Sequence, residues 1–133
     1  MSKFLTNLEG VWIDDTRFVL TKPLIYQSDI LAKETSIKEG ILNVVVGFTS
    51  DFASVPRVPV IYFAFGDRAH HESVLHDALY KTGTVSRKMA DAVFLEAMKA
   101  RGKKWWIRTG MWLGVRLGGY GAWKRHRNRD IKS

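Results

Sequence analysis

Short apolar runs separated by polar breaks dominate the chain up to residue 50: Val11-Trp12-Ile13, Phe18-Val19-Leu20, Leu24-Ile25-Tyr26 and Ile41-Leu42-Asn43-Val44-Val45-Val46. β-Branched and aromatic side chains in runs of this length suit strands with one packed face and one wet face. The pattern predicts an antiparallel meander. Lys38-Glu39-Gly40, just before the last run, is placed as a turn, because Gly40 can take the positive φ that side chains disfavour.

After residue 50 the pattern changes. Pro56 and Pro59 lack a backbone N–H and hold the residues before them extended, so the stretch from Asp51 to Pro59 reads as a structured loop. The apolar run Val60 to Phe65 closes at Gly66, and Asp67 is placed as N-cap of a helix running to about Lys81. Gly83 offers a C-terminal stop and Ser86 a new N-cap. From there Met89, Ala90, Val93, Phe94 and Ala97 recur at helical spacing to about Ala100. A connection this short makes the two helices an antiparallel pair. Trp105, Trp106, Ile107, Met111, Trp112, Val115 and Leu117 predict a third helix over 103–117, before Gly118-Gly119. The fold class read from the sequence is α+β: an N-terminal antiparallel β meander, then an antiparallel helix pair and a third C-terminal helix. Residues 1–133 are expected to form a single domain, with 124–133 a basic, mobile tail.

Composition adds bounds. With 133 residues, 46% hydrophobic and 26% charged, the chain suits one compact core. It has no cysteine, which excludes disulfides and thiolate metal sites. Neither a signal-peptide pattern nor a run of roughly 18 apolar residues is present, so no transmembrane segment is expected, and synthesis in the cytoplasm is the expectation. Twenty-one Lys and Arg against thirteen Asp and Glu give a formal charge of +8, favouring anionic partners such as an envelope component or nucleic acid.

Candidate chemistry concentrates in Leu75-His76-Asp77-Ala78-Leu79-Tyr80, where three reactive side chains interrupt an apolar helix. Ser73, His76, Asp77 and Tyr80 follow three- and four-residue steps and share a face. In a helical hairpin turning between Gly83 and Ser86, Asp91 comes level with His76. A carboxylate there can fix the imidazole tautomer and make His76 a general base. Asp77 points about 100° away around the helix and is placed as a ligand for a hard divalent cation, calcium or magnesium. The competing reading is a satisfied polar contact between packed helices, with Asp77 solvated. His70 and His71 are read as structural rather than metal-binding.

The loop from Phe48 to Arg57 is a second dense cluster. Asp51 is a further candidate cation ligand, Ser54 a hydrogen-bond donor to substrate and Arg57 a clamp for an anionic group. Equally, the segment reads as a strand-ending turn whose Asp51 and Ser54 bond local backbone. In the last third, Lys103, Lys104, Arg108 and Arg116 alternate with Trp105, Trp106, Trp112 and Trp123. That mixture suits nucleic-acid stacking, a membrane interface or a carbohydrate surface, or else a core helix whose Trp side chains bury against the sheet.

Phe48-Thr49-Ser50-Asp51-Phe52-Ala53-Ser54-Val55-Pro56, then His76-Asp77-Ala78-Leu79-Tyr80, then Ser86-Arg87-Lys88 with Ala90-Asp91-Ala92-Val93-Phe94, resembles the family of domain of unknown function 1353 over about residues 40–125. The resemblance implies a phage or prophage origin, with a role in the virion or in infection; some members are labelled minor tail proteins with lysin activity. The His-Asp pair followed by Tyr, facing an Asp from the next helix, is also similar to the helix pair of phospholipase A2 enzymes. That similarity implies His76 as the base activating water, Asp77 as a calcium ligand, and Tyr80 with Asp91 as support. This chain differs in having no glycine-rich calcium loop and no cysteine.

The expected function is thus a phage accessory protein with a metal-assisted hydrolytic site. His76, Asp91 and Tyr80 would be catalytic, Ser54 and Arg57 substrate-binding, and Asp77 and Asp51 cation-binding, with peptidoglycan or lipid as substrate. The alternatives are a non-enzymatic minor tail or assembly protein and a host-directed inhibitor that binds a host protein through its basic surface.

Overall fold

The computed structural model describes residues 2–14, 17–50, 70–118, 120–121, 123–125 and 127. Among the described residues, six short strands form two three-stranded antiparallel sheets. In the first, β4 (Leu24–Gln27) lies between β1 (Lys3–Phe4) and β5 (Ile41–Val44). In the second, β3 (Phe18–Leu20) lies between β2 (Gly10–Trp12) and β6 (Thr49–Ser50). Alternation along β4 sends Leu24 and Tyr26 inward, and along β3 it sends Phe18 and Leu20 inward. The apolar run from Ile41 leaves the ladder at Val44, and Val45 and Val46 are exposed.

Between β4 and β5 the chain makes a helix that the alternation did not indicate, α1 (Asp29–Glu34). Ser28 caps it, its Oγ accepting from the Leu31 N–H at 3.1 Å. The expected turn follows as a 3-10 turn over Lys38–Gly40. Gly40 has φ +68°, and a Cβ on it would strike the Ser28 carbonyl oxygen, so both its conformation and the close approach require glycine.

Three longer helices complete the described fold: α2 (His70–Thr82), α3 (Arg87–Ala100) and α4 (Trp105–Gly118). The second has the expected Ser86 cap, whose side chain accepts from the Met89 N–H. Val74, Leu75, Ala78 and Leu79 of α2 join Ala90, Val93 and Ala97 of α3 and the inward residues of β3 and β4 in one core. The other side of α3 carries Phe94 and Met98 against Ile107, Met111 and Val115 of α4. Packing of α4 on α3 leaves Trp105 and Trp106 exposed, so these two do not bury against a sheet. No described helix is long and apolar enough to cross a membrane.

The end of α2 is fixed by two features. Gly83 takes φ +64° and its N–H reaches the Leu79 carbonyl at 3.0 Å. Arg127, in the stretch expected to form the basic tail, donates from Nη2 to the carbonyls of Tyr80 (2.9 Å) and Lys81 (3.1 Å), satisfying acceptors that a helix end leaves open. A Cβ on Gly83 would lie 2.5 Å from the same guanidinium. Gly83→Ala is therefore expected to destabilise the fold by more than about 1 kcal/mol, from strain and from displacement of Arg127. Urea unfolding of the two proteins checks this, and equal midpoints would refute it.

Candidate active site

Every residue from Glu72 to Tyr80 is buried, so α2 is enclosed all round rather than divided into a core face and a wet polar face. Its polar side chains must then find partners inside the protein. The short connection from α2 to α3 brings Asp91, near the start of α3, against His76 and Tyr80. Asp91 Oδ1 lies 2.6 Å from His76 Nε2 and accepts from the Tyr80 hydroxyl at 2.7 Å. Its other oxygen accepts from Arg116 Nη1 of α4 at 2.8 Å, and Arg87 Nη1 stands 3.9 Å from it. The three residues expected to be catalytic, His76, Tyr80 and Asp91, converge, and Arg116 and Arg87 join them.

The electrostatics of this cluster are consistent from all sides. Burial alone would push the Asp91 carboxyl up, but hydrogen bonds from His76, Tyr80 and Arg116 outweigh it and hold the group below the usual carboxylate range. Burial drives His76 down from its ordinary 6.5, and the pull of Asp91 only partly opposes this. Burial, then the hydrogen bond to Asp91, raises the Tyr80 hydroxyl. A neutral imidazole beside an ionised carboxylate carries its proton on Nε2 and donates it to Asp91, which leaves the ring's lone pair on Nδ1. The ring is also packed, 4.2 Å from the Tyr80 ring and 4.8 Å from Phe94 between centroids.

Asp77 faces elsewhere. Its Oδ2 accepts from Ser50 Oγ at 2.9 Å and lies 3.4 Å from Lys81 Nζ, which itself donates to the Thr49 carbonyl at 2.9 Å. Asp77 thereby holds β6 to α2. Its Oδ1 is buried with no hydrogen-bond partner among the described residues, the kind of atom that a cation would satisfy. Among the described residues no group of three or more His, Asp or Glu side chains is arranged to hold a metal. Asp51, Ser54 and Arg57, expected to bind cation and substrate, lie outside the described residues, as does the Asp67 cap.

Two further polar clusters escaped the sequence reading. Glu96 of α3 accepts from the Tyr26 hydroxyl (2.8 Å) and Ser28 Oγ (2.6 Å) on Oε1, and from the Ile30 N–H (3.0 Å) on Oε2, clasping β4 and the start of α1 to the helices. Glu72, fully buried on α2, pairs with Arg101 Nε at 3.0 Å.

His70 is exposed, whereas His71 is half-buried and accepts the Leu8 N–H on Nε2 at 3.1 Å. Burial, with the Arg101 and Lys103 charges nearby, lowers the His71 imidazole to about 4. The unfolded chain takes up this proton near 6.5 and the native protein only near 4, so the unfolded state binds more protons in that interval. Stability associated with His71 is present above pH 6.5 and is lost as pH falls toward 4. Thermal melts between about pH 7 and about pH 4.5 should show a smaller loss of Tm for His71→Gln than for the wild type. Parallel losses would rule His71 out as a source of acid sensitivity.

The family described as protein of unknown function (DUF1353) matches residues 18–115, from β3 through most of α4, and the chain belongs to that family. No curated protein and no solved structure matches the chain.

Proposed function

We propose that this protein is a hydrolase of a cell-envelope component, lipid or peptidoglycan, acting as a phage or prophage accessory protein, in which His76 activates water. The observation that carries the reading is the bond from His76 Nε2 to Asp91 Oδ1, on a carboxylate also held by Tyr80 and Arg116. Asp91 holds the ring in one tautomer, and the Nδ1 lone pair is the base in this reading. As water attacks the substrate carbonyl, His76 takes the water's proton at Nδ1, and Asp91 stabilises the imidazolium that forms. His76 then returns the proton to the leaving group. Ser54 and Arg57 would contact substrate, Arg57 through an anionic group. A divalent cation, calcium or magnesium, would be held through Asp77 Oδ1 together with Asp51, and would polarise the carbonyl under attack.

Complete burial of His76, Asp77 and Asp91 favours a second reading, a non-enzymatic minor tail or assembly protein in which the same bonds lock α2, α3 and α4 together. Incubation of the purified protein with phospholipid vesicles and, separately, with isolated peptidoglycan separates the two, with products read by mass spectrometry. Fatty acid with lysolipid, or muropeptide fragments, absent from a His76→Gln control, support hydrolysis. No product from either substrate, with or without calcium and magnesium, supports the structural role.

A further inference from the structure

His76, Tyr80 and Asp91 are fully buried, so a reaction at His76 requires some packed element to move. Trp123 and Arg127, late in the chain, touch this cluster at Tyr80. The Tyr80 ring lies 4.2 Å from the His76 ring and 5.2 Å from the Trp123 ring, which meets it edge-on. Residues 123–125 and 127 are helical, which puts Trp123 and Arg127 on one face, with the Arg127 guanidinium 4.5 Å from the Trp123 ring centroid. From that position Arg127 Nη2 reaches the Tyr80 and Lys81 carbonyls, in space that Gly83 leaves open. Trp123 and Arg127 are both half-buried.

We infer that Trp123 and Arg127 form a strap that closes the candidate site at Tyr80 and releases to let substrate reach His76. Its role in catalysis rests on the hydrolase reading, whereas the closure is a property of the fold. The argument is which contacts break with least loss. Parting α3 from α2 takes Asp91 away from His76 and Tyr80, and parting α4 from α3 takes Arg116 away from Asp91, each leaving a buried polar group without its partner. Release of the strap strands nothing comparable. The two carbonyls it frees lie at a helix end, where water can replace the guanidinium, and the guanidinium itself is hydrated on leaving. Closure of this kind keeps water from an active site until substrate is bound.

The test is carbethoxylation of His76 by diethyl pyrocarbonate on the folded full-length chain, mapped by tandem mass spectrometry so that His70, His71 and His126 are read apart. His76 of the wild type should react slowly. Arg127→Met, which keeps the apolar stem and removes the donors, and Trp123→Leu should each speed its modification by about tenfold or more, with unchanged circular-dichroism spectra. Glu96→Gln loosens the clasp on β4 without touching the strap and controls for general loss of stability. It should leave the His76 rate near that of the wild type. Strap variants no faster than the wild type would overturn the inference, and so would an equal acceleration by Glu96→Gln. With a hydrolysed substrate, both strap variants should also raise kcat/KM, and unchanged values would overturn the gating role. Faster modification with no hydrolysis product from any of these proteins would support the closure and refute the hydrolase reading.

Discussion

His76→Gln is expected to lower the rate of envelope-substrate hydrolysis by roughly 10² to 10⁴-fold while leaving the fold intact. Glutamine can keep the hydrogen bond to Asp91 through its amide N–H, so the buried carboxylate stays paired and the helix hairpin stays closed. What it lacks is a titratable lone pair, and the loss should fall on kcat rather than KM. The wild-type rate carries a pH signature of the same base. Because burial lowers His76 from 6.5, the rate should be level above that pH and fall only on further acidification. An acid limb centred above pH 6.5 would mean that a different group is the base.

The second large effect is on stability. Asp91 is the only described acceptor shared by α2, α3 and α4, taking hydrogen bonds from His76, Tyr80 and Arg116. Asp91→Ala leaves a buried imidazole N–H and a buried phenol without their acceptor and removes the countercharge from Arg116 and Arg87. Breaking a buried ion pair from one side costs about 3–5 kcal/mol, and a loss in that range is expected from urea unfolding. Arg116→Gln should cost less, because Arg116 is partly exposed and water can replace some of its contacts. A loss under about 1 kcal/mol for Asp91→Ala would mean that the cluster does not hold the helices together.

The parts legible in the sequence are those written in local spacing. Ser86 and the recurrence of Met89, Ala90, Val93, Phe94 and Ala97 give α3 its limits, and the hairpin connection then puts Asp91 level with His76, as the structure has it. Lys38-Glu39-Gly40 was legible because a positive φ narrows the choice of residue. What was hidden depends on distant pairing. α1 is too short to show periodicity, and its one local signal is Ser28 followed by Asp29, a cap and a first-turn acid. The strands are antiparallel as their alternation indicates, but alternation does not say that β1 seeks β4 while β2 seeks β3. Glu96 looks like a solvated helix residue until β4 is laid beside it, 70 residues away in sequence from Tyr26.

Two surfaces also ran against local pattern. Asp77 had a solvated position as one reading, yet it and Glu72 on α2, like Asp91 on α3, are each buried with an ionic partner, from Lys81, Arg101 and Arg116 respectively. The Trp residues at the start of α4 had a core role as one reading, yet the helix is rotated so that Ile107, Met111 and Val115 take the core and Trp105 and Trp106 face out. Aromatic content alone does not distinguish the two sides of a helix when both are apolar.

The functional reading rests on the state of one ring, and nitrogen-15 NMR of the His76 imidazole at neutral pH measures it directly. The spectrum expected is that of a neutral ring protonated at Nε2, with that proton shifted downfield by the bond to Asp91 and lost from view in His76→Gln, which also assigns it. A ring protonated at Nδ1, or an imidazolium at neutral pH, would contradict His76 as the base that activates water.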